Sequence, residues 1–205
     1  MPEDTKRQST LYDVLMERRT VVLSGSTTRD ALSEIGVRLM KLQIESADPI
    51  NLLIDSGGGD TFAALRLCDF MTYVITAPIH GVAIGTCSSS ATFILLHCAK
   101  RAATPYARFL IHSATVGGVE IKANESRLVD IERLRAEIAT TDETVTRLYM
   151  QKLNKTEKEV KELIARGDNR FNDYLSATEA LEIGLIEKIL DGPLDIFPQP
   201  TKSEN

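Results

Sequence analysis

The alternation of short apolar segments with longer amphipathic ones constrains the fold of this chain more than any other feature. Strand-like segments run over Thr20–Gly25, Ile50–Asp55, Ile79–Ile84 and Arg108–His112, and helix-like segments over Arg29–Ser46, Thr61–Val74 and Ser90–Ala99. Strands and helices that alternate through short connections are typical of a parallel sheet covered by helices. We therefore predict an α/β fold, formed by residues 1–192 as a single domain.

Composition and charge exclude several classes of function. The chain has 205 residues, of which 43% are hydrophobic, enough for a sizeable core, and its net charge of −5 comes from interspersed charges. Such a surface offers no basic footprint for nucleic acid. No apolar segment approaches the roughly 20 residues of a membrane span, and the charged start MPEDTKRQST lacks the apolar core of a signal peptide. These features predict a cytoplasmic protein that binds neither nucleic acid nor membrane.

The three cysteines indicate reduced, buried thiols. Cys68, Cys87 and Cys98 are an odd number and lie within apolar segments. This pattern is typical neither of a disulfide framework nor of a metal site. Cys87 lies near a run of serines and is a minor candidate for a nucleophile, since buried structural cysteines are commoner.

The second half of the chain predicts a long helix and two capped shorter ones. Residues 124–153 contain neither glycine nor proline, and a helix of that length is expected to project from the core or to pack on another subunit. Two capping-box patterns follow, Thr156 with Glu159 and Ser176 with Glu179, and Gly184 suits a helix end. The polar, proline-rich tail 193–205 is expected to be disordered.

Three consecutive serines, in the stretch GTCSSSATF, lie between a predicted strand and a predicted helix. They can cap the helix, because serine oxygens accept hydrogen bonds from first-turn amides. Alternatively, one of them is a nucleophile beside amides that stabilise an oxyanion. The stretch is not Gly-x-Ser-x-Gly, which disfavours the nucleophile turn of α/β-hydrolases.

Two further features are expected at the same edge of the sheet. The glycine-rich DSGGGD follows one strand and His112 ends another, so both would join the serines at the carboxyl ends of the parallel strands. Glycine lets backbone amides approach a reacting atom closely, and histidine is a common general base. His80 and His97 fit a site less well.

Three separated segments resemble one family. INLLIDSGGGDTFAALRLCDFM, GVAIGTCSSSATFILLHCAKRAATPYARFLIHS and YLSATEALEIGLIEKIL occur in the order found in the proteolytic subunit of the Clp protease, a serine peptidase of crotonase-like fold. The resemblance covers about residues 11–190. It implies a crotonase-like domain with a protruding handle, here about residues 114–153, that includes the strand VGGVEIK and the long helix.

The resemblance also assigns the site residues. The family's nucleophile falls on Ser89 and its base on His112, and the oxyanion donors fall on the backbone N–H groups of Gly58 and Ser90. Ser88 would be structural.

The third triad position departs from the family pattern. Where the family has aspartate, this chain has Asn172, and Asp173 follows one residue later. An asparagine can orient an imidazole but cannot stabilise imidazolium as a carboxylate does. Both residues stay candidates for the third member of the triad, and Asp168 in the same loop is the next candidate.

The resemblance further implies partners and a mode of action. Family members cleave unfolded polypeptides inside two stacked rings of seven, bind no cofactor of their own and leave ATP to an AAA+ unfoldase. Asn51 and Leu53 replace the tyrosines expected where that ATPase docks, so a second Clp-like subunit is an alternative partner.

Two other functions stay open. The chain can be a non-catalytic or weakly active subunit of a mixed Clp ring, because Asn172 replaces the acid. A crotonase-type acyl-CoA enzyme would share the fold and the two-amide oxyanion hole, although such enzymes normally rely on carboxylates.

Overall fold

A computed structural model describes residues 11–114, 127–169 and 173–194, and these residues form seven strands and seven helices. The strands are β1 (Thr20–Thr27), β2 (Ile50–Gly59), β3 (Ile79–Ser88), β4 (Lys100–Ala103), β5 (Arg108–Leu110), β6 (Leu175–Ser176) and β7 (Lys188–Ile189). The helices are α1 (Leu11–Glu17), α2 (Arg29–Glu45), α3 (Thr61–Tyr73), α4 (Ser90–Leu96), α5 (Arg127–Leu153), α6 (Glu157–Gly167) and α7 (Ala177–Glu182).

The sheet is parallel along its main path, as predicted. Its order is β1-β2-β3-β4-β7, and all four pairings in this path are parallel. The short strand β5 pairs in parallel with the far end of β3, and β6 pairs antiparallel with β5. The result is the mixed α/β architecture expected of a crotonase-like fold.

The core lies between the sheet and its covering helices and is mainly aliphatic. Ile50, Leu52 and Ile54 of β2 and Leu39 and Leu42 of α2 are all fully buried. Burying one such side chain contributes about 1.5–3 kcal/mol, so this layer fixes the helices on the sheet. Helix α2 begins after the side-chain cap Thr28, and α3 begins after the cap Asp60.

Two central strands are longer than their apolar segments. The sequence predicts a turn directly after Asp55, but β2 continues through the glycines to Gly59 and β3 continues to Ser88. The pairing between them shifts register after Ile54 and resumes at Ser56 with Cys87. Because of this irregularity the two strands stay paired beyond the hydrophobic segment. The alternation of apolar and polar residues in the sequence does not predict this extension.

Several element boundaries differ from prediction. Helix α1 and strand β4 were not predicted, because one is short and the other, KRAA, lacks the β-branched residues that mark strands. Strand β4 forms through its pairing with β3 and β7. Helix α4 ends at Leu96 rather than at Ala99, and the last strand, which the sequence predicts over Leu185–Leu190, is confined to Lys188–Ile189.

The second half follows the sequence closely. Helix α5 spans 27 residues within the predicted segment 124–153. Both capping boxes form, at Thr156 and Ser176, and Gly184 has a φ of +80° directly after Ile183, the C-cap of α7. The predicted strand VGGVEIK lies outside the described residues, as does the tail from residue 195 onward. Within the described residues, no helix combines the length and apolar character needed to cross a membrane.

Candidate active site

The sheet brings Ser89 and His112 to one edge. Strand β5 pairs with β3 so that Leu110 lies opposite Ser88, and the N–H of Ser89 donates to the carbonyl oxygen of Leu110 at 2.7 Å. His112 follows two residues beyond Leu110. Both Ser89 and His112 are half-buried, so each is accessible from solvent. Their relative placement is therefore set by backbone pairing within the sheet.

Ser89 has a strained backbone and an uncommitted side chain. Its φ of 52° and ψ of −130° are sparsely populated for any residue except glycine. It occupies the cap position of α4, but its side chain makes no capping hydrogen bond. Its carbonyl oxygen accepts from the N–H of Thr92 at 2.9 Å and from Thr92 Oγ1 at 2.6 Å. Capping therefore does not explain this serine, and the turn presents its hydroxyl at the helix start.

Gly58 lies directly against the serine turn. Its φ is +90°, and a Cβ there would lie 2.7 Å from the Ser88 carbonyl oxygen, 2.7 Å from Ser89 Cβ and 3.1 Å from the Ser90 nitrogen. The backbones of Gly58 and Ser90 thus adjoin the same side chain, an arrangement in which two amides can serve one oxyanion. The Gly58 N–H donates to Ser56 Oγ at 3.1 Å, so a bound oxyanion would share this donor or displace the serine oxygen.

The neighbouring serines are buried and differ from Ser89. The Ser90 hydroxyl is paired with Thr27 Oγ1 at 2.7 Å and is fully buried. Ser88 is 2% exposed, and its hydroxyl has no hydrogen-bond partner among the described residues. Of the three side chains, only that of Ser89 reaches solvent.

The loop after α6 holds the candidates for the third triad member. Asn172 lies outside the described residues. The Asp173 carboxylate is bound by Arg166, with 2.7 Å between Arg166 Nε and Asp173 Oδ2, and the same guanidinium contacts Glu179 Oε1 at 2.8 Å. Hydrogen bonds from Ser176 and Arg166 lower the pKa of Glu179 to about 2. In this structure Asp173 therefore belongs to a surface ion-pair cluster.

Two carboxylates bind the backbone immediately after His112. The N–H of Ser113 donates to Asp168 Oδ1 at 2.9 Å, and its hydroxyl donates to Asp168 Oδ2. The N–H of Ala114 donates to Asp142 Oδ1 of α5 at 2.6 Å. Charge-assisted bonds of this kind are stronger than neutral ones, so the segment that follows His112 is held from α5 and from the end of α6.

Sequence reasoning missed several of these contacts. Asp142 is one of many acidic residues on a polar helix, and no sequence signal distinguishes it. Gly167 packs so closely that a Cβ would lie 1.9 Å from the Ile111 carbonyl oxygen. The sequence ARGDN shows a glycine near the end of α6, but it does not show that this glycine contacts the residue before His112.

The remaining histidines and cysteines are engaged or buried elsewhere. His97 Nδ1 lies 2.7 Å from the Phe93 carbonyl oxygen, and His80 lies within β3 opposite Asn51. Burial lowers the pKa of both histidines. All three cysteines are buried, as predicted, and burial raises the pKa of the Cys87 thiol well above its ordinary range. Cys87 is thus a poor nucleophile.

A half-buried serine in a strained turn, a histidine two residues beyond the adjoining strand and two neighbouring amides are the groups that acyl transfer uses. Residues 3–193 match the family model described as Clp protease, and the chain belongs to this family. It is 29% identical over 203 residues to the ATP-dependent Clp protease proteolytic subunit 2 of Treponema denticola, a match that covers 95% of this chain and 94% of that protein. Family membership favours a peptidase over the acyl-CoA alternative, and it implies oligomeric assembly and protein substrates.

Proposed function

We propose that this chain is a serine endopeptidase subunit that cleaves unfolded polypeptides, with Ser89 as nucleophile and His112 as base. The observation that carries the proposal is the Ser89 turn. Its side chain is free of capping, its backbone is strained, and its N–H is paired with the strand that leads to His112. Strained serines on strand-to-helix turns are a recurring device for exposing a nucleophile.

The proposed reaction follows from these groups. Ser89 Oγ attacks the peptide carbonyl as His112 accepts its proton, and the N–H groups of Gly58 and Ser90 stabilise the oxyanion. His112 then returns the proton to the leaving amine, which departs as the acyl-enzyme forms. Water, deprotonated by His112, hydrolyses the ester. Asn172 or Asp173 would orient the imidazole.

Assembly and partners are also proposals. We infer two stacked rings of seven, with α5 as part of a handle of about residues 114–153 that packs between the rings. An AAA+ ATPase or a second Clp-like subunit would complete the complex, and ATP would bind to that ATPase rather than to this chain. A cytoplasmic location and the lack of a cofactor of its own belong to the same proposal. Light scattering should give fourteen times the 22.6 kDa chain mass, and a monomer at micromolar concentration would contradict it.

Labelling by a fluorophosphonate tests the nucleophile. Wild-type protein should be labelled on Ser89, and Ser89→Ala should lose both labelling and peptidase activity. Ser88→Ala is the matched control, because it removes a neighbouring hydroxyl that is buried and has no described partner. Loss of labelling in Ser88→Ala with retention in Ser89→Ala would show that the assignment is wrong by one residue.

Two exchanges test the third member. If Asn172 orients His112, Asn172→Asp should raise kcat, because a carboxylate stabilises the imidazolium, and Asp173→Asn should change little. The opposite exchange in a trypsin-like enzyme lowers kcat by about 10⁴, which bounds the gain. If Asp173→Asn inactivates instead, the Arg166 ion pair must open in the working enzyme and Asp173 is the third member.

A non-catalytic or weakly active subunit is the second candidate. It is favoured by Asn172 at the position where the family has aspartate and by the Gly58 N–H that is already bound to Ser56. Absence of labelling in assembled wild-type protein, with labelling restored in Asn172→Asp, would support this candidate.

A further inference from the structure

The carbonyl of Ser89 ends a buried chain of hydrogen bonds that begins on the long helix α5. Thr92 Oγ1 lies 2.6 Å from the Ser89 carbonyl oxygen and 2.7 Å from Tyr149 Oη. Tyr149 is on α5, 57 residues from Thr92 in sequence. The chain thus connects two separate parts of the fold at the turn that carries the proposed nucleophile.

The direction of the proton donors in this chain is determined. A carbonyl oxygen can only accept, so the single proton of the Thr92 hydroxyl is directed to Ser89. Tyr149 must then donate its phenolic proton to Thr92. Hydrogen bonds in such a sequence polarise one another, so the Tyr149 hydroxyl strengthens the bond that Thr92 makes to Ser89.

The two side chains of this hydrogen-bond chain, those of Thr92 and Tyr149, are held by close packing. Thr92 is fully buried and Tyr149 is 1% exposed. The tyrosine ring packs edge-on against Phe93, with ring centroids 5.6 Å apart. Burial raises the pKa of Tyr149 above its ordinary value, so the phenol stays protonated and remains a donor.

The Ser89 backbone needs such support. A non-glycine residue in a sparsely populated conformation costs about 1–3 kcal/mol and persists only where its surroundings enforce it. Here the enforcing bonds are the one from the Ser89 N–H to Leu110 and the two that Thr92 makes to the Ser89 carbonyl. The second Thr92 bond depends on a side chain, and Tyr149 is its only described partner besides Ser89.

We propose that Thr92 and Tyr149 are positioning residues, which hold the Ser89 turn in the conformation that reacts. The inference rests on the proposed function, since it assumes Ser89 as the nucleophile. A merely structural role is the alternative, in which the two hydroxyls satisfy each other inside the core and their loss changes stability alone.

Three variants separate the two roles. Tyr149→Phe and Thr92→Val each remove one hydroxyl with little change in shape, and the double variant removes both. One lost hydrogen bond corresponds to about a 3- to 10-fold decrease in kcat and in the rate of phosphonylation by the fluorophosphonate per folded site, with KM little changed. Thr92→Ser keeps the hydroxyl and should retain most of the rate.

The double variant is decisive because stability and positioning respond differently. Replacing both partners by apolar groups can be nearly neutral for stability, whereas Thr92→Val alone leaves the buried hydroxyl of Tyr149 without its described partner. We expect the thermal midpoint to recover in the double variant while phosphonylation stays as slow as in Thr92→Val. Recovery of the rate together with the midpoint would overturn the proposal.

A matched control lies on the same helix. Thr141 is 7% exposed and donates to the Glu137 carbonyl oxygen within α5, so Thr141→Val also removes a buried hydroxyl. It should leave the rate of phosphonylation unchanged, and an equal loss of rate there would contradict a specific role for Tyr149.

Hydrogen exchange keeps this test separate from that of the proposed function. Faster exchange of the amides of residues 89–92 in Thr92→Val than in Thr141→Val is expected whether or not the chain is active. If wild-type Ser89 is unlabelled, the proposed function fails and the catalytic part of this inference fails with it. If Ser89 is labelled, and the Tyr149→Phe, Thr92→Val and double variants match wild type in labelling rate and in hydrogen exchange, only the inference fails.

Discussion

Replacing Gly58 by alanine should inactivate the protein without unfolding it. The residue has a φ of +90°, where an L-residue costs about 1–2 kcal/mol. The added Cβ would also lie 2.7 Å from the Ser88 carbonyl oxygen and from Ser89 Cβ, closer than real Cβ atoms approach such neighbours. Since one of these contacts is with backbone, the serine turn itself must move.

The magnitude follows from what that movement disturbs. Loss of one oxyanion donor lowers kcat by about 10²–10³, or about 2.7–4 kcal/mol of transition-state stabilisation. The Gly58 N–H and the adjoining Ser90 N–H would both be displaced, so we expect a decrease of at least about 100-fold. A domain with a stability of about 5–15 kcal/mol can tolerate the backbone strain and remain folded.

Two neighbouring glycines supply the controls. Gly57→Ala adds a Cβ that meets nothing within 4 Å, and no positive φ is involved. Gly25→Ala introduces strain alone, because its φ is +81° and its Cβ would also meet open space. Peptidase kcat, the fluorophosphonate labelling rate and the thermal midpoint should be measured for all three variants. Wild-type kcat in Gly58→Ala, or equal inactivation in Gly25→Ala, would refute the reasoning.

Three other predictions concern the base, acid stability and the thiols. Asp168→Asn, which weakens the bonds to Ser113, should lower peptidase kcat by about 2- to 10-fold with little change in KM, and an unchanged kcat would contradict a role in holding the base. The pKa of Glu179 is about 2 in the folded chain and 4.5 in the unfolded chain, so its stabilising contribution is complete above about pH 4.5 and is lost as the pH falls towards 2. The free energy of unfolding, measured with urea, should therefore fall less over this range in Glu179→Gln than in wild type. An equal fall in both proteins would refute the assignment. Burial raises the pKa of Cys98 to about 12 and that of the other two thiols further, so a disulfide reagent at pH 8 should modify no cysteine until the chain unfolds, and rapid modification of the native protein would be the contrary result.

The sequence predicted those parts of the site that follow from local patterns. Ser89, His112 and the glycine stretch each adjoin an apolar strand, and parallel strands bring such positions to one edge. The capping boxes at Thr156 and Ser176 were equally visible, because their spacing is short and their geometry is local.

The missed contacts are those between residues far apart in sequence. Thr92 and Tyr149 meet across 57 positions, and nothing near either residue indicates the other. The bond from the Ala114 N–H to Asp142 spans 28 positions and likewise depends on where α5 packs. The continuation of β2 to Gly59 escaped prediction because backbone pairing, rather than side-chain hydrophobicity, maintains it.

The pairing of β3 with β5 has a consequence for how this chain can diverge. Ser89 and His112 are spaced by a strand ladder, whereas the candidate third members lie in a connection outside it. A change of length in that connection would leave the pairing of β3 with β5 intact, and with it the placement of the proposed nucleophile and base. If the proposed roles hold, substitutions in that connection can replace or move the third member and change the turnover rate, while the sheet keeps Ser89 and His112 in place.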